Sequence, residues 1–219
     1  MSEFGNPTDL AISRDYPRLK FRSALIDNIE QMTAWSRSQG RQVLGNISYF
    51  AEKVERFHQI VKDLQPKTYL EVGLNAGHSV ALVVDAAPDC HVVALDIGDR
   101  DYILDASRIV AHHHEKFAYL QGDSIQTLPL LEKTPLDLAF IDGGHTYLCV
   151  KNDIKNLAPR INTPGATLIL DDTEDFLVKT AMNDAIEDGT LSKLQLVEVI
   201  SAQRYTQDKI STMHVFRCS

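Results

Sequence analysis

Short apolar segments alternate with segments of helical periodicity through most of this chain, and this alternation constrains the fold more than any other feature. The predicted strands are 69–72, 91–95, 117–121, 136–141 and 166–170. The predicted helices that follow them are 79–87, 103–114, 124–132, 150–157 and 176–187. Because repeated strand-helix units join parallel strands through covering helices, the pattern predicts an α/β fold, a doubly wound and mostly parallel sheet.

The two ends of the chain depart from this alternation. Near the N terminus, apolar residues recur at helical spacing over 22–37 and 47–64, which predicts two amphipathic helices. Near the C terminus, 194–200 and 212–217 are predicted strands that can form a hairpin around the polar loop 201–211.

Size and composition favour one globular unit. The length of 219 residues predicts a single domain, with 1–64 as an N-terminal helical cap and lead-in helix and 65–219 as the core. With 44% hydrophobic and 24% charged residues, the composition indicates neither disorder nor membrane association. The net charge of -8 disfavours nucleic acid as the main partner, since phosphate binding requires a basic surface. The polar N terminus lacks a secretory signal, so we expect a cytoplasmic protein. The sequence leaves the oligomeric state open, with a homodimer among the options.

The turn after the first strand indicates a ligand site. Residues 69–79 read Y-L-E-V-G-L-N-A-G-H-S, so that Glu71, Gly73 and Gly77 form E-x-G-x-x-x-G. Gly73 lets the backbone leave the strand without a Cβ clash, and Gly77 permits close approach of a ligand. Ser79 lies in the first helical turn, where free amides and a hydroxyl can bind an anionic group. The spacing differs from the G-x-G-x-x-G of NAD-binding and FAD-binding turns.

This run resembles motif I of the class I S-adenosylmethionine-dependent methyltransferases, in which an acidic residue and a glycine-rich turn hold the amino-acid end of the cofactor. The resemblance implies a Rossmann-like, seven-stranded sheet whose last strand is antiparallel and lies beside its predecessor. It implies S-adenosylmethionine as the cofactor. The cofactor contacts predicted in the turn are Glu71, Gly73, Asn75, Gly77 and Ser79.

Acidic residues also follow later strands, and in doubly wound sheets ligands bind at the carboxyl ends of the strands. Asp96 ends the second strand, where an ionised carboxylate can accept hydrogen bonds from two ribose hydroxyls, the role that the resemblance assigns to it. Asp123, between Gly122 and Ser124, resembles the acid that holds the adenine amino group, although the same residues also suit a helix N-cap. Asp142, which ends the fourth strand, is predicted to contact the cofactor as well.

Two further stretches end in carboxylates, F-I-D-G-G-H-T-Y at 140–147 and L-I-L-D-D-T at 168–173. Asp142, Asp171 and Asp172 would repel one another at one edge unless they were protonated, hydrogen-bonded or bound to a cation such as Mg²⁺ or Ca²⁺. The stretches resemble the metal-dependent O-methyltransferases of the catechol and caffeoyl-CoA type, in which an Asp after strand four and an Asp-Asn pair after strand five hold the metal. Asp172 departs from that pattern, since it stands where the family usually has Asn.

His145 is the predicted catalytic base. It lies three residues after Asp142, where the metal-dependent family carries a lysine proposed to take the acceptor's proton, and a histidine of ordinary pKa can do this work. The I-D-G-G-H-T-Y wording is nearer to a less characterised bacterial branch that has I-D-G-D-H-S-Y. The resemblance implies methyl transfer to a hydroxyl of a small molecule, with Asp142 and His145 as catalytic residues and a divalent metal on the three acids.

Other interpretations remain open. The enzyme could be a metal-independent methyltransferase with His145 as the only base, and Asp171 and Asp172 could cap the following helix. A nicotinamide-dependent oxidoreductase or a non-catalytic subunit that retains the cofactor site are alternatives from other classes. Tyr16, Phe21 and Trp35 could line an acceptor pocket or pack in the core, and their segment is predicted to cap the site.

Overall fold

The strands of the described chain form one mixed sheet, as shown by a computed structural model that describes residues 23–41, 43, 47–204 and 209–219. The strands are β1 Thr68–Val72, β2 His91–Asp96, β3 Phe117–Gln121, β4 Leu138–Ile141, β5 Thr167–Leu170, β6 Leu194–Gln203 and β7 Ile210–Cys218. Their order is β3-β2-β1-β4-β5-β7-β6. Among these strands, β7 alone runs in the opposite direction, so it is antiparallel to both of its neighbours, β5 and β6. The predicted Rossmann-like sheet with an antiparallel last strand is therefore confirmed.

Helices cover both faces of this sheet. The α-helices are α1 Ala24–Ser38, α2 Ala51–Leu64, α3 His78–Ala86, α4 Asp101–His113, α5 Ser124–Thr127, α6 Tyr147–Leu157 and α7 Phe176–Glu187. One hydrophobic cluster joins the sheet to α1, α2, α3 and α4, and a second joins the opposite face to α6 and α7. Among the described residues, none of the helices is long and apolar enough to cross a membrane.

Several element boundaries differ from the sequence prediction, and the largest difference is in the helix predicted over 124–132. The helix predicted at 124–132 ends at Thr127 and continues only as a 3-10 turn, Leu128–Leu130. Pro129 explains the change, since proline has no N–H to donate to a helical carbonyl. The two last strands extend into the segment predicted as a loop, because their ladder continues to the pair of Gln203 and Ile210. Residues 205–208 lie outside the described residues.

The strand order places a crevice beside β1. β1 pairs with β2 on one side and with β4 on the other, so the direction of winding reverses between β1 and β4. In doubly wound sheets such a switch point, at the carboxyl ends of the strands, is where ligands bind. Val72, Asp96, Ile141 and Leu170 end their strands at this edge.

The N-terminal helices take different places around the sheet. Ser23 is the N-cap of α1, and its hydroxyl accepts a hydrogen bond from the Ile26 amide at 3.2 Å. α1 packs against α3 and α4. Trp35 lies half-buried under the guanidinium of Arg41, 5.2 Å from the ring centre. Tyr16 and Phe21 lie outside the described residues. α2 contacts α3 and β6, and its N-terminal end, rather than α1, reaches the crevice.

Asp153 of α6 is completely buried, and this burial raises the pKa of its carboxyl to about 7. Between its unfolded pKa near 4 and about 7, the folded chain holds a proton that the unfolded chain has released, so stability falls as pH rises through this window. We therefore expect Asp153→Asn to raise the free energy of unfolding by roughly 2 kcal/mol at pH 8, with little gain near pH 4. Urea unfolding at both pH values measures the difference, and equal gains at both would contradict the assignment.

Candidate active site

The turn after β1 depends on backbone conformations that favour glycine. Gly73 has φ +99° and Gly77 has φ +81°, and Asn75 between them is also left-handed at φ +49°. A Cβ on Gly73 would lie 2.0 Å from the carbonyl oxygen of Asp142. The turn is thus pressed against the end of β4, and only glycine fits at position 73.

Glu71 and Ser79 support this turn from inside the protein. Glu71 is fully buried and accepts hydrogen bonds from the hydroxyls of Ser79, at 2.6 Å, and Tyr69. Burial raises the pKa of Glu71 to about 8, against the opposing effect of these two hydrogen bonds. The Ser79 hydroxyl, predicted to bind an anionic ligand, is directed to Glu71 instead.

Gly77 also has a different neighbour from the one predicted. A Cβ there would lie 3.2 Å from the side chain of Ile29, so glycine at this position allows α1 to approach the turn closely. Sequence reasoning could not find this contact, because it depends on how α1 packs against the start of α3.

The remaining predicted cofactor residues line a cavity of about 250 Å³ at the switch point. They are Gly73, Asn75, Asp96, Gly122, Asp123, Ser124 and Asp142. Asp123 combines both roles considered from the sequence, since it lines the cavity and also accepts a hydrogen bond from the Ile125 amide at 3.0 Å as the N-cap of α5. The structure therefore brings the turn after β1 and the ends of β2, β3 and β4 together around one space.

Asp96 connects the loops on both sides of this cavity. Its two carboxylate oxygens accept hydrogen bonds from the amides of Asn75 and Gly98, each at 2.9 Å. The Asn75 side chain accepts a hydrogen bond from Tyr102 at 2.9 Å, and Tyr102 accepts one from Arg100 at 2.8 Å. Since a carboxylate has about four acceptor positions, Asp96 retains the capacity to bind ribose hydroxyls.

We expect Asp96→Ala to weaken binding of S-adenosylhomocysteine by roughly 10- to 100-fold, because hydrogen bonds to a charged group contribute about 1.5–3 kcal/mol. Calorimetric titration measures the change, and Asp89→Ala, at an exposed position before β2, is the control. Unchanged affinity in the Asp96 variant would remove Asp96 from the cofactor site.

A second cavity, of about 450 Å³, adjoins the first. The two cavities share the lining residues Asn75, Arg100, Asp142 and Gly143. The second cavity is further lined by Ile47, Tyr49, Phe50, Lys53, His145, Asp171, Asp172, Arg204 and Lys209. A molecule in this second space can therefore meet a ligand of the first at the carboxyl end of β4.

His145 and Asp172 form a pair in the second cavity. His145 Nε2 lies 3.2 Å from Asp172 Oδ2, and its ring also lies 4.0 Å from Asp175. The hydrogen bond with Asp172 raises the pKa of His145. Burial acts to raise the pKa of Asp172, but the bond with His145 and the charge of Lys53 lower it overall. The histidine is thus held beside a carboxylate that stabilises its protonated form.

Lys53 of α2 is a site residue that the sequence reasoning missed. Its side chain is 1% exposed, and its ammonium donates hydrogen bonds to Asp171 and, at 2.6 Å, to the Ser211 hydroxyl. Burial acts to lower the pKa of Lys53, but the charges of Asp171 and Asp172 raise it overall. The available sequence signal was a lysine among Phe50, Val54 and Phe57, on the buried face of an amphipathic helix.

The predicted metal ligands do not form one set. Asp142 and Asp172 bring ligand atoms to within 4.8 Å of each other, but the third member of that cluster is His145 and not Asp171. Burial and the charge of Asp171 raise the pKa of Asp142 well above its ordinary value. The alternative that Asp171 and Asp172 cap α7 is wrong, because Asp175 is the N-cap and accepts a hydrogen bond from the Leu177 amide at 2.9 Å.

Hydrogen-bond donors already face three of the carboxylate oxygens of Asp171 and Asp172. Asp171 Oδ1 accepts the Lys53 ammonium and, at 2.7 Å, the Asp172 amide. Asp172 Oδ1 accepts the Ser211 hydroxyl at 2.7 Å, and its Oδ2 faces His145. The residues present therefore do not fit the predicted divalent ion on Asp142, Asp171 and Asp172.

Comparison with known proteins agrees with this geometry. Residues 70–173 match the family model described as a methyltransferase domain. The comparison with curated protein sequences gives no match. The matched range begins in β1 and ends just after β5, so it contains the glycine turn and every strand end that lines the first cavity.

Solved methyltransferases share the fold. The O-methyltransferase TomG of Streptomyces achromogenes, in complex with S-adenosylmethionine, is 16% identical over 91% of this chain and 92% of that one, with a TM-score of 0.69. An O-methyltransferase of Bacillus cereus with S-adenosylhomocysteine is 15% identical over 91% of this chain and 93% of that one, with a TM-score of 0.66. The N-methyltransferase NodS of Bradyrhizobium japonicum with S-adenosylhomocysteine is 16% identical over 90% of this chain and 99% of that one, with a TM-score of 0.54. Residues 70–173 therefore match a methyltransferase domain, and the chain has the fold of these solved methyltransferases.

Proposed function

We propose that this protein transfers the methyl group of S-adenosylmethionine to a hydroxyl oxygen of a small molecule, with His145 as the base and without a divalent ion. The observation that carries the proposal is the His145 and Asp172 pair in the second cavity, next to the residues shared with the cofactor cavity. TomG and the Bacillus cereus enzyme are O-methyltransferases, whereas NodS acts on nitrogen, so the fold alone does not select the acceptor atom. A base beside the acceptor favours a hydroxyl, which must lose a proton.

In this mechanism the cofactor lies in the first cavity and the acceptor in the second. The acceptor oxygen forms a bond to the methyl carbon while the bond from that carbon to the sulfonium sulfur breaks, which leaves neutral S-adenosylhomocysteine. His145 takes the hydroxyl proton, and Asp172 orients the imidazole and stabilises its positive charge. Holding both reactants in line can lower the barrier by roughly 7 to 11 kcal/mol at best.

The metal-assisted version has less support. With the ligands predicted from the sequence it uses Asp171, whereas the Lys53 ammonium is bonded to that carboxylate. The nicotinamide oxidoreductase is also disfavoured, since the matched domain is a methyltransferase domain and the turn lacks the dinucleotide spacing.

The test is methyl transfer from labelled S-adenosylmethionine to a panel of small hydroxylated compounds, with EDTA present throughout. We expect labelled product in EDTA, and NMR of that product to place the new methyl group on oxygen. Activity that disappears in EDTA and returns with Mg²⁺ would instead support the metal-assisted version. Binding of S-adenosylhomocysteine without transfer to any compound in the panel would favour a non-catalytic subunit.

A further inference from the structure

The three carboxylates of the second cavity share one buried cation, and that cation belongs to the protein. Asp142, Asp171 and Asp172 all line the cavity, and each of them raises the pKa of Lys53 through its charge. A buried carboxylate without a compensating charge is costly, so such a cluster must either bind protons or face a cation. Lys53 supplies that cation from outside the sheet.

The position of the ammonium is fixed by the elements around it. One helical turn after Lys53, Arg56 pairs with Glu198 of β6 through contacts of 2.6 and 2.8 Å, which anchors α2 beside the hairpin. Within the same hairpin, Ser211 of β7 accepts from the Lys53 ammonium at 2.6 Å and donates to Asp172 at 2.7 Å. The Lys53 ammonium is therefore bonded both to Asp171, just after β5, and to Ser211 of β7.

This arrangement competes with a metal for the same oxygen atoms. Two groups donate to Asp171 Oδ1, and one of them is a positively charged ammonium. A divalent ion on that oxygen would have to displace the ammonium or lie next to it, and two like charges at such a distance repel. The ammonium and the ion therefore compete for Asp171 Oδ1.

We propose that Lys53 is a built-in cation that takes the place of a divalent metal at the acceptor site and excludes metal from Asp142, Asp171 and Asp172. The inference rests on the proposed function in naming this cavity the acceptor site, and it deepens that function by giving a reason for the absence of a divalent ion. Its test measures metal binding and requires no methyl transfer. A failure of the inference about Lys53 is therefore distinguishable from a failure of the proposed methyl transfer.

The experiment titrates Mn²⁺ into the full chain and follows binding by calorimetry and by the Mn²⁺ spin-resonance signal. The unmodified chain is expected to show no saturable binding. Lys53→Met keeps the unbranched stem but removes the charge, and it is expected to bind one Mn²⁺ at least roughly tenfold more tightly than the unmodified chain, because it leaves the carboxylates uncompensated. Adding Asp171→Asn to this variant should abolish the gain.

Two controls separate charge from a general effect of the substitution. Lys53→Arg retains the positive charge and should remain unable to bind Mn²⁺. Lys62→Met removes an exposed lysine of the same helix and should leave Mn²⁺ binding as in the unmodified chain. Circular dichroism and binding of S-adenosylhomocysteine report whether each variant is folded.

The proposal is overturned if the unmodified chain binds Mn²⁺ saturably and Asp172→Asn weakens that binding. It is equally overturned if folded Lys53→Met gains no Mn²⁺ binding. If Lys53→Met unfolds in buffer but folds when Mn²⁺ is added, the ion has replaced the ammonium and the proposal is supported. If that variant does not fold in either condition, the titration of the unmodified chain decides. The absence of saturable Mn²⁺ binding then supports the proposal, and saturable binding that Asp172→Asn weakens overturns it.

Discussion

Replacement of Gly73 by alanine is expected to abolish cofactor binding and to lower the free energy of unfolding by at least roughly 3 kcal/mol. The new Cβ would lie 2.0 Å from the carbonyl oxygen of Asp142, and the backbone there has a φ of +99°. Because the obstructing atom belongs to the backbone just after β4, the strand end or the turn must move. Either movement displaces lining groups of the first cavity.

Gly165→Ala is the matched control for this prediction. Gly165 has a similar φ of +87°, but no atom lies within 4 Å of the Cβ that alanine would add. Its expected cost is therefore only the conformational one, about 1–2 kcal/mol, with unchanged affinity for S-adenosylhomocysteine. Thermal unfolding and calorimetry compare the two variants. Normal cofactor binding by the Gly73 variant would show that the turn does not hold the cofactor.

Replacement of His145 by alanine is expected to lower kcat by roughly 10²- to 10⁴-fold, the range for loss of a general base, and to leave S-adenosylhomocysteine affinity unchanged. The hydrogen bond with Asp172 raises the pKa of His145, and only the unprotonated imidazole can accept a proton. The rate of the unmodified enzyme should therefore increase with pH through the pKa of His145. The variant should lose this increase.

His91→Ala serves as the control, since His91 is exposed at the start of β2, the end of the strand opposite to Asp96. Asp172→Asn should shift the pH dependence to lower values, because it removes the largest effect that raises the pKa of His145. A His145 variant with unchanged kcat and an unchanged pH profile would exclude His145 as the base.

Much of the fold follows from local features of the sequence. The alternation of strands and helices predicted the parallel sheet. Each element could be recognised locally, because the spacing of apolar residues and the turn residues depend on only a few neighbouring positions. The acids after β2, β3 and β4 line the first cavity because parallel strands end at a common edge, whatever their exact lengths. The largest boundary error, at 124–132, came from continuing a helix through Pro129.

The details of the site depended on contacts between distant elements. The glycine turn was recognised from its sequence, yet the hydroxyl of Ser79 is directed to Glu71, and Ile29 of α1 lies against Gly77. Nothing in the local sequence indicates these neighbours, because they follow from the packing of α1 and α3 on the sheet.

The sequence by itself determined the succession of strands and helices along the chain, the glycine turn at Gly73 and the succession of acids at the sheet edge. Only the tertiary structure decided how the charges of those acids are compensated. Lys53 and Asp171 are 118 positions apart, and they meet because α2 packs beside β6 and β7. The physical reason is that a buried charge needs a partner in space, and local sequence patterns carry no information about which distant helix supplies it.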